Sequence, residues 1–190
     1  MNYKVISKKD LITTTWQGGT TTELYIYPED SNYKERNFEF RLSTAQINLE
    51  ETEFTSLPNI DRELMVLDGS IEITHENQYS KRLNKFNVDS FKGDWKTSAK
   101  GTCTDFNLMS NGDYNCKIEV VTSSINQKKK LNNSSDFLIL YTYKGEILIK
   151  NENILFRLKE GDVFVLKEKV NLEISFSDTN ELIISKIETK

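Results

Sequence analysis

The sequence predicts an all-β protein built from a duplicated barrel, and three observations carry that expectation. Apolar residues alternate along most of the chain instead of recurring at helical spacing, and no segment offers a long, capped amphipathic helix. Tyr, Phe and β-branched residues are frequent, which suits a pleated, half-buried surface. The two halves also repeat one pattern of strands and glycine turns.

The elements follow in order. Thr20 to Tyr27 alternates, with Leu24 and Ile26 on one face and Glu23 and Tyr25 on the other. Phe38, Phe40 and Leu42 share a face opposite Arg41, Ser43 and Ala45. Leu64 to Ile73 reads as a strand, a tight turn at Asp68-Gly69 and a return strand, because Asp-Gly suits positive φ. Asp105 to Val121 does the same around Asn111-Gly112, and Leu138 to Ile149 reverses near Lys144-Gly145. Asp162 to Leu166, Leu172 to Phe176 and Leu182 to Ile187 are the closing strands. Glu29 to Asn37 is a polar loop. Ser123 to Ser135 is rich in Asn, Ser and Lys and reads as a linker, its Lys128-Lys129-Lys130 run solvated.

In the first half, Leu64 to Ile73 is followed by Phe91-Lys92-Gly93-Asp94; in the second, Leu138 to Ile149 is followed by Leu158-Lys159-Glu160-Gly161-Asp162. Strand-rich units with Gly-Asp turns suit a jelly roll or cupin barrel, which closes the sheet and limits exposed edges. The expected architecture is therefore a bicupin of two packed, RmlC-like jelly-roll barrels. The first spans 1–122, a linker spans 123–135, and the second half spans 136–190, with strands exchangeable between the halves.

Composition narrows function. The chain has 190 residues, 25 basic and 29 acidic, for a net charge of −4 and a single histidine. One histidine cannot build a two- or three-histidine metal centre within one subunit. No apolar run approaches the roughly 18 residues that span a bilayer, and Met1 to Asp10 lacks the apolar run of a secretory signal. Two cysteines are too few for a disulfide framework, so a reducing, cytoplasmic setting is expected. Mild acidity argues against a nucleic-acid face. Sheet faces left outside a barrel need cover, which admits a homo-oligomer.

Several chemistries lack their residues. A metal cupin carries a His-x-His pair and a Glu in its first motif and a further His in its second, imidazole being the usual ligand. Here His75 precedes Glu76-Asn77 and reads as a surface histidine in a turn. Where first-motif ligands would stand, the chain reads Pro58-Asn59-Ile60-Asp61-Arg62-Glu63, and the arginine disfavours a cation. Neither a metal nor another cofactor is expected. No Gly-x-Ser-x-Gly, Walker A or dinucleotide fingerprint occurs. Trp16-Gln17-Gly18-Gly19-Thr20 bears glycines, but no helix follows to cradle a phosphate. If Asn111-Gly112 is a two-residue turn, Asn107 opposes Cys116 and Cys103 lies near Val120, so the cysteines are not cross-strand partners and read as inert thiols.

What remains is a set of polar groups inside apolar strands. Arg41 lies in Phe38-Glu39-Phe40-Arg41-Leu42-Ser43, and Asp105 and Asn107 share a face of Thr104 to Met109. Asp61, Arg62 and Glu63 precede an apolar strand, and Glu23 sits in the first strand with Thr21 and Tyr25. Three readings stand: solvent-facing alternation, internal pairing of Arg41 or Arg62 with Asp105 or Glu63, or a polar-lined pocket at a barrel mouth. In the pocket reading Arg41 or Arg62 grips a carboxylate with its planar fork, while Asp105 and Asn107 recognise an amide or amine. In a metal-independent isomerase or hydrolase acting on a small acid, Asp105 or Glu63 would be the base.

Four motifs in order resemble the HutD/Ves family of bacterial bicupins. Trp16-Gln17-Gly18-Gly19-Thr20-Thr21-Thr22-Glu23-Leu24 is similar to the family's Trp-x-Asn-Gly-Gly-Gly-x-Thr-x-Glu-Ile/Leu opening, with the glycine run reduced. Phe38 to Ala45 resembles Phe-x-Trp-Arg-Leu-Ser-x-Ala, with Phe40 in the Trp position. Phe54 to Arg62 resembles Phe-Ser-x-Phe-Pro-Gly-Ile-Asp-Arg, with Leu67-Asp68-Gly69 after it. Phe91-Lys92-Gly93-Asp94 and Asp105-Phe106-Asn107-Leu108-Met109 match Phe-x-Gly-Asp and Asp-Phe-Asn-Val-Met. The resemblance covers residues 16–109 and implies a cupin fold without the metal ligands and without an established enzyme activity. Some members are linked to histidine degradation and others to stress responses. The resemblance implies a small-molecule binding or regulatory protein, with histidine-pathway acids as ligand candidates, and with the arginines it gives the expectation of a small carboxylate-bearing metabolite and a role in histidine or amino-acid catabolism or a stress response. Its polar motif positions here are Glu23, Arg41, Ser43, Asp61, Arg62, Asp105 and Asn107.

Overall fold

The computed structural model describes residues 2–124, 126–152, 154–177 and 179–190. Met1, Ile125, Asn153 and Asp178, each inside an expected domain or linker, lie outside the described residues. The described chain is strands throughout, apart from turns, loops and one 3-10 turn at Lys8–Asp10. None of its helices is long and apolar enough to cross a membrane. In chain order the strands are β1 (Tyr3–Ile6), β2 (Ile12–Trp16), β3 (Gly19–Tyr27), β4 (Phe40–Ile47), β5 (Glu51–Glu53), β6 (Ile60–His75), β7 (Tyr79–Asn84), β8 (Val88–Lys92), β9 (Thr97–Lys100) and β10 (Cys103–Asn111). They continue as β11 (Tyr114–Ser123), β12 (Lys128–Leu131), β13 (Phe137–Lys144), β14 (Ile147–Asn151), β15 (Ile154–Leu158), β16 (Val163–Leu166), β17 (Leu172–Phe176) and β18 (Asn180–Thr189).

Two compact units divide the chain. One runs from Ile12 to Tyr114; the other joins the residues up to Leu11 to Asn115–Lys190. The first holds a curled sheet in the order β2-β3-β4-β10-β6-β9-β5, with β7 and β8 also paired to β6. The second packs a β1-β16-β13-β18-β11 sheet against a β12-β17-β14-β15 sheet. Leu138, Leu140, Phe164, Leu166 and Ile184 from the one sheet meet Ile147, Ile149, Leu158 and Ile174 from the other in a wholly apolar core. Each such side chain contributes about 1.5–3 kcal/mol when taken out of water.

The units differ from the division expected at 1–122 and 136–190. β1 pairs with β16, and β11 joins the sheet of β18, so both ends of the first half serve the second unit. The stretch expected as a linker contains β12, paired with β17 from Lys128↔Ser175 to Leu131↔Leu172. Its lysines point to solvent and only Leu131 is buried. An edge strand needs one inward residue and backbone hydrogen bonds, and a lysine run does not reveal that.

The two glycine turns also differ from hairpins. β6 is one continuous strand that pairs with β8 as far as Met65 and with β10 as far as Gly69, then with β7 from Ser70 and with β9 from Glu72. Gly69 sits at the bend with φ +78, and a Cβ there would lie 2.5 Å from the Thr102 carbonyl oxygen. Gly145 does the same between β13 and β14, with φ +81 and a Cβ position 2.7 Å from the Thr179 oxygen. Both need the left-handed conformation that glycine adopts without steric cost. The repeat seen in the sequence is therefore a repeated strand bend. β10 and β11 are likewise not paired with each other, since β10 lies between β4 and β6. Asn107 consequently faces Ser43 and Leu64, not Cys116.

Candidate functional site

The register of four strands assembles the polar set on one face. Asn107 stands opposite Ser43 and Leu64, Asp105 opposite Ala45 and Val66, and Met109 opposite Arg41 and Arg62. Side chains directly opposite each other in a sheet point the same way. Arg41, Ser43, Arg62, Asp105 and Asn107 therefore share a face and are all buried. Glu23 joins them opposite Ser43, because a bulge between Glu23 and Tyr25 breaks the expected alternation and turns Glu23 and Ile26 to the same side. Asp61 does not join. It is one residue out of phase with Arg62, faces Ser110 and Lys92, and pairs with the Lys92 ammonium at 2.5 Å. Glu63 is out of phase for the same reason and accepts a hydrogen bond from Ser90 Oγ at 3.0 Å.

The two arginines differ in what already holds them. Arg41 donates from Nε to Glu23 Oε2 at 2.7 Å and from Nη1 to Ser43 Oγ at 3.2 Å, with the Tyr33 ring 4.4 Å from its guanidinium carbon. Its charge is matched by a carboxylate. Arg62 is 5 % exposed and donates from Nη2 to Asn107 Oδ1 at 2.8 Å, while its buried Nε has no partner. Among the described residues no carboxylate lies within ion-pair distance of it. Phe54 and Phe91 flank it at 4.9 and 5.1 Å. Burial lowers the Arg62 pKa to about 10, against the pull of Asp105, so it stays charged at neutral pH.

Asp105 completes the chain. Asn107 Nδ2 donates to Asp105 Oδ1 at 2.8 Å. An amide that accepts from Arg62 and donates to Asp105 has its orientation fixed by both neighbours. Burial pushes the Asp105 carboxyl up to about 6, overriding Asn107, the Arg62 charge and a backbone hydrogen bond from Ala45. A buried cation and a buried acid thus sit either side of one neutral amide. Half-buried Tyr33, Phe54 and Glu23 border the set on its more exposed side.

His75 is not the turn histidine expected. It is 1 % exposed, at the end of β6, where the inward alternation Ile71, Ile73, His75 continues. Its Nδ1 shares a hydrogen bond with Thr97 Oγ1 and its Nε2 one with Asp89 Oδ2, both at 2.8 Å. Asp89 also accepts from the Tyr79 hydroxyl at 2.9 Å and pairs with the Lys81 ammonium. Phe91 touches both polar clusters, with its ring 4.5 Å from that of His75. The sequence signal for this second cluster was the continued alternation, with Asp89 two residues before Phe91.

A divalent metal, the usual guest of a cupin, does not fit this donor set. Two guanidinium groups share the face, its two carboxylates are already engaged, Glu23 by Arg41 and Asp105 by Asn107, and the histidine is committed to Thr97 and Asp89. Among the described residues no three His, Cys, Asp or Glu side chains converge. Cys103 is buried, and burial drives its thiol up to about 12, so it is no nucleophile. In the second unit a groove is lined by Lys128, Glu146, Arg157 and Ser175, where Arg157 is tied to Glu146 at 3.0 Å.

Known proteins agree with this architecture. A structure of a conserved protein of unknown function, PA5104 from Pseudomonas aeruginosa PAO1, matches with TM-score 0.84 and 16 % identity over all of both chains. HutD from Pseudomonas fluorescens SBW25, described as a formate condition, matches with TM-score 0.76 and 20 % identity, again over all of both chains. A formate complex of oxalate decarboxylase from Lactobacillus farciminis gives TM-score 0.74 at 9 % identity, over 98 % of this chain and 86 % of that one. These likenesses establish the cupin jelly-roll fold. No curated protein matches the chain by sequence. The HutD family model matches residues 8–184. With the motif positions Arg41, Arg62, Asp105 and Asn107 gathered on one buried face, the chain belongs to the HutD family.

Proposed function

We propose that the Ile12–Tyr114 unit binds a small carboxylate-bearing metabolite and that the protein regulates amino-acid catabolism, with acids of histidine degradation as the first candidates. One observation carries the reading: the buried Arg62 guanidinium has an unpartnered Nε and, among the described residues, no carboxylate within ion-pair distance, Asp105 being held off by Asn107. A buried, unmatched cation is costly, and a carboxylate ligand supplies the missing charge and acceptor. Arg41, already matched by Glu23, shapes the wall of the site. Asn107 holds Arg62 in place, and Asp105 accepts from an amide or amine of the ligand. The HutD and oxalate decarboxylase relatives are both described with formate, the smallest carboxylate.

The test is a thermal-shift titration with histidine, urocanate, formiminoglutamate, formylglutamate, glutamate and formate. A ligand at about a hundred times its dissociation constant stabilises the fold by roughly 2.7 kcal/mol. A saturable shift with one acid is expected. No shift with any of them would separate this protein from the histidine pathway.

A second reading rests on the Asp105 carboxyl, whose pKa near 6 suits a general acid or base at neutral pH. In that case the ligand is a substrate of a metal-independent isomerase or hydrolase. Turnover of a bound acid, lost in Asp105→Asn while binding persists, distinguishes the two.

A further inference from the structure

We propose that β2 is a self-pairing edge, through which two copies of this chain join antiparallel about a two-fold axis at Thr14. Strand β2 ends its sheet and pairs with β3 alone among the described residues. All five of its residues are exposed, Ile12 at 68 % and Trp16 at 38 %. An exposed edge presents a row of free N–H and C=O groups, and proteins normally blunt such edges with charge, proline or a bulge.

Every other sheet-ending strand here is blunted by charge. β1 carries Lys4, β5 carries Glu51 and Glu53, β11 carries Lys117 and Glu119, β12 is Lys128-Lys129-Lys130-Leu131, and β15 carries Arg157. β2 alone has none. Residues 11–22 form an uncharged hairpin in a chain that is 28 % charged. Protection is missing at the one edge that also exposes an isoleucine and a tryptophan.

The hairpin register selects the occupant. Trp16 pairs with Gly19 across the two-residue turn, then Thr14 with Thr21 and Ile12 with Glu23. A closing pair of this kind exchanges hydrogen bonds, and such pairs alternate along an antiparallel ladder. Ile12, Thr14 and Trp16 therefore bond inward to β3, and the N–H and C=O of Thr13 and Thr15 point outward. A two-fold at Thr14 sets Thr13 against the partner copy's Thr15 and Thr15 against its Thr13, so all four outward groups of each copy are satisfied. The same register sets each Ile12 against the other copy's Trp16 in a close, non-hydrogen-bonded pair. Aromatic and β-branched residues favour each other there. The edge is neutral and complementary to itself. A five-residue edge is far smaller than the roughly 20–30 residues per side of a standard interface, so the dimer is weak and concentration-dependent.

Sedimentation velocity of the full chain over a wide concentration range tests this. The wild type should pass from monomer to dimer. Thr14→Lys and Thr14→Glu each place like charges face to face on the axis and should remain monomeric, while an equimolar mixture of the two should dimerise again. Thr15→Pro removes an outward donor without touching the β3 ladder and should also be monomeric. Unchanged circular dichroism and melting would establish that the variants are folded. A wild type that stays monomeric throughout overturns the proposal. So does a dimer that survives Thr14→Lys and Thr15→Pro, and a mixture that stays monomeric overturns the axis at Thr14.

Discussion

Asp89→Ala is expected to destabilise the Ile12–Tyr114 unit by about 3–5 kcal/mol, the usual loss when one partner of a buried charged network is removed. Asp89 is 1 % exposed and serves His75, Tyr79 and Lys81 at once. Its loss leaves a buried imidazole nitrogen without a partner and a lysine without its counter-charge, and leaves the Tyr79 hydroxyl only its longer bond to the Ser90 carbonyl oxygen at 3.3 Å. Tyr79→Phe removes one donor only and should cost about 1 kcal/mol. Urea denaturation of both variants checks the contrast. Equal losses would mean that the network does not hold the β6–β9 region together. The same cluster sets an acid limit. Burial opposes ionisation of Asp89, but hydrogen bonds from His75, Lys81 and Tyr79 hold its carboxyl below the usual range. A depressed carboxyl contributes stability that is complete above the unfolded-chain value of about 3.9 and is lost as pH falls through the folded value.

Asp105→Asn is expected to act in the opposite direction. The folded Asp105 carboxyl titrates near 6, about two units above an unfolded aspartate, so the native state binds its proton more tightly. Stability attributable to this group therefore falls as pH rises from about 4 to about 6, by up to roughly 3 kcal/mol. Asparagine keeps the shape and removes the buried charge. The variant should be the more stable protein at pH 7.5, with the difference vanishing near pH 4. Chemical denaturation at the two pH values measures it. A more stable variant at pH 7.5 would show that Asp105 is held at a cost to the fold, as a ligand-facing group would be, and a less stable one would mean that Asp105 is a structural anchor.

Much of this was legible in the sequence. Alternation placed Arg41 and Ser43 on one face of β4 and Asp105 and Asn107 on one face of β10, and the motif order pointed to the family. Local pattern could not carry the remainder. Glu23 reaches Arg41 only through a bulge, and a bulge is a property of the pairing between β3 and β4. Asp61 sits beside Arg62 in the family motif, but a period of two sends adjacent residues to opposite faces. Gly69 and Gly145 read as hairpin turns because positive φ serves equally at a bend within a strand, as at Gly69, and at a step between strands of two sheets, as at Gly145. His75 looked like a turn residue because its partners, Asp89 and Thr97, lie 14 and 22 residues away in the chain. Which arginine is unmatched depends on neighbours from three strands, so only the assembled sheet separates Arg41 from Arg62.

The central claim is that Arg62 receives a carboxylate. Isothermal titration of the wild type and Arg62→Gln with formate, and with whichever acid gives the largest thermal shift, tests it most directly. Saturable binding to the wild type is expected, with a loss of about 30-fold or more in the variant, the effect of truncating one partner of a buried charge pair. Unchanged affinity in a folded Arg62→Gln protein would contradict it.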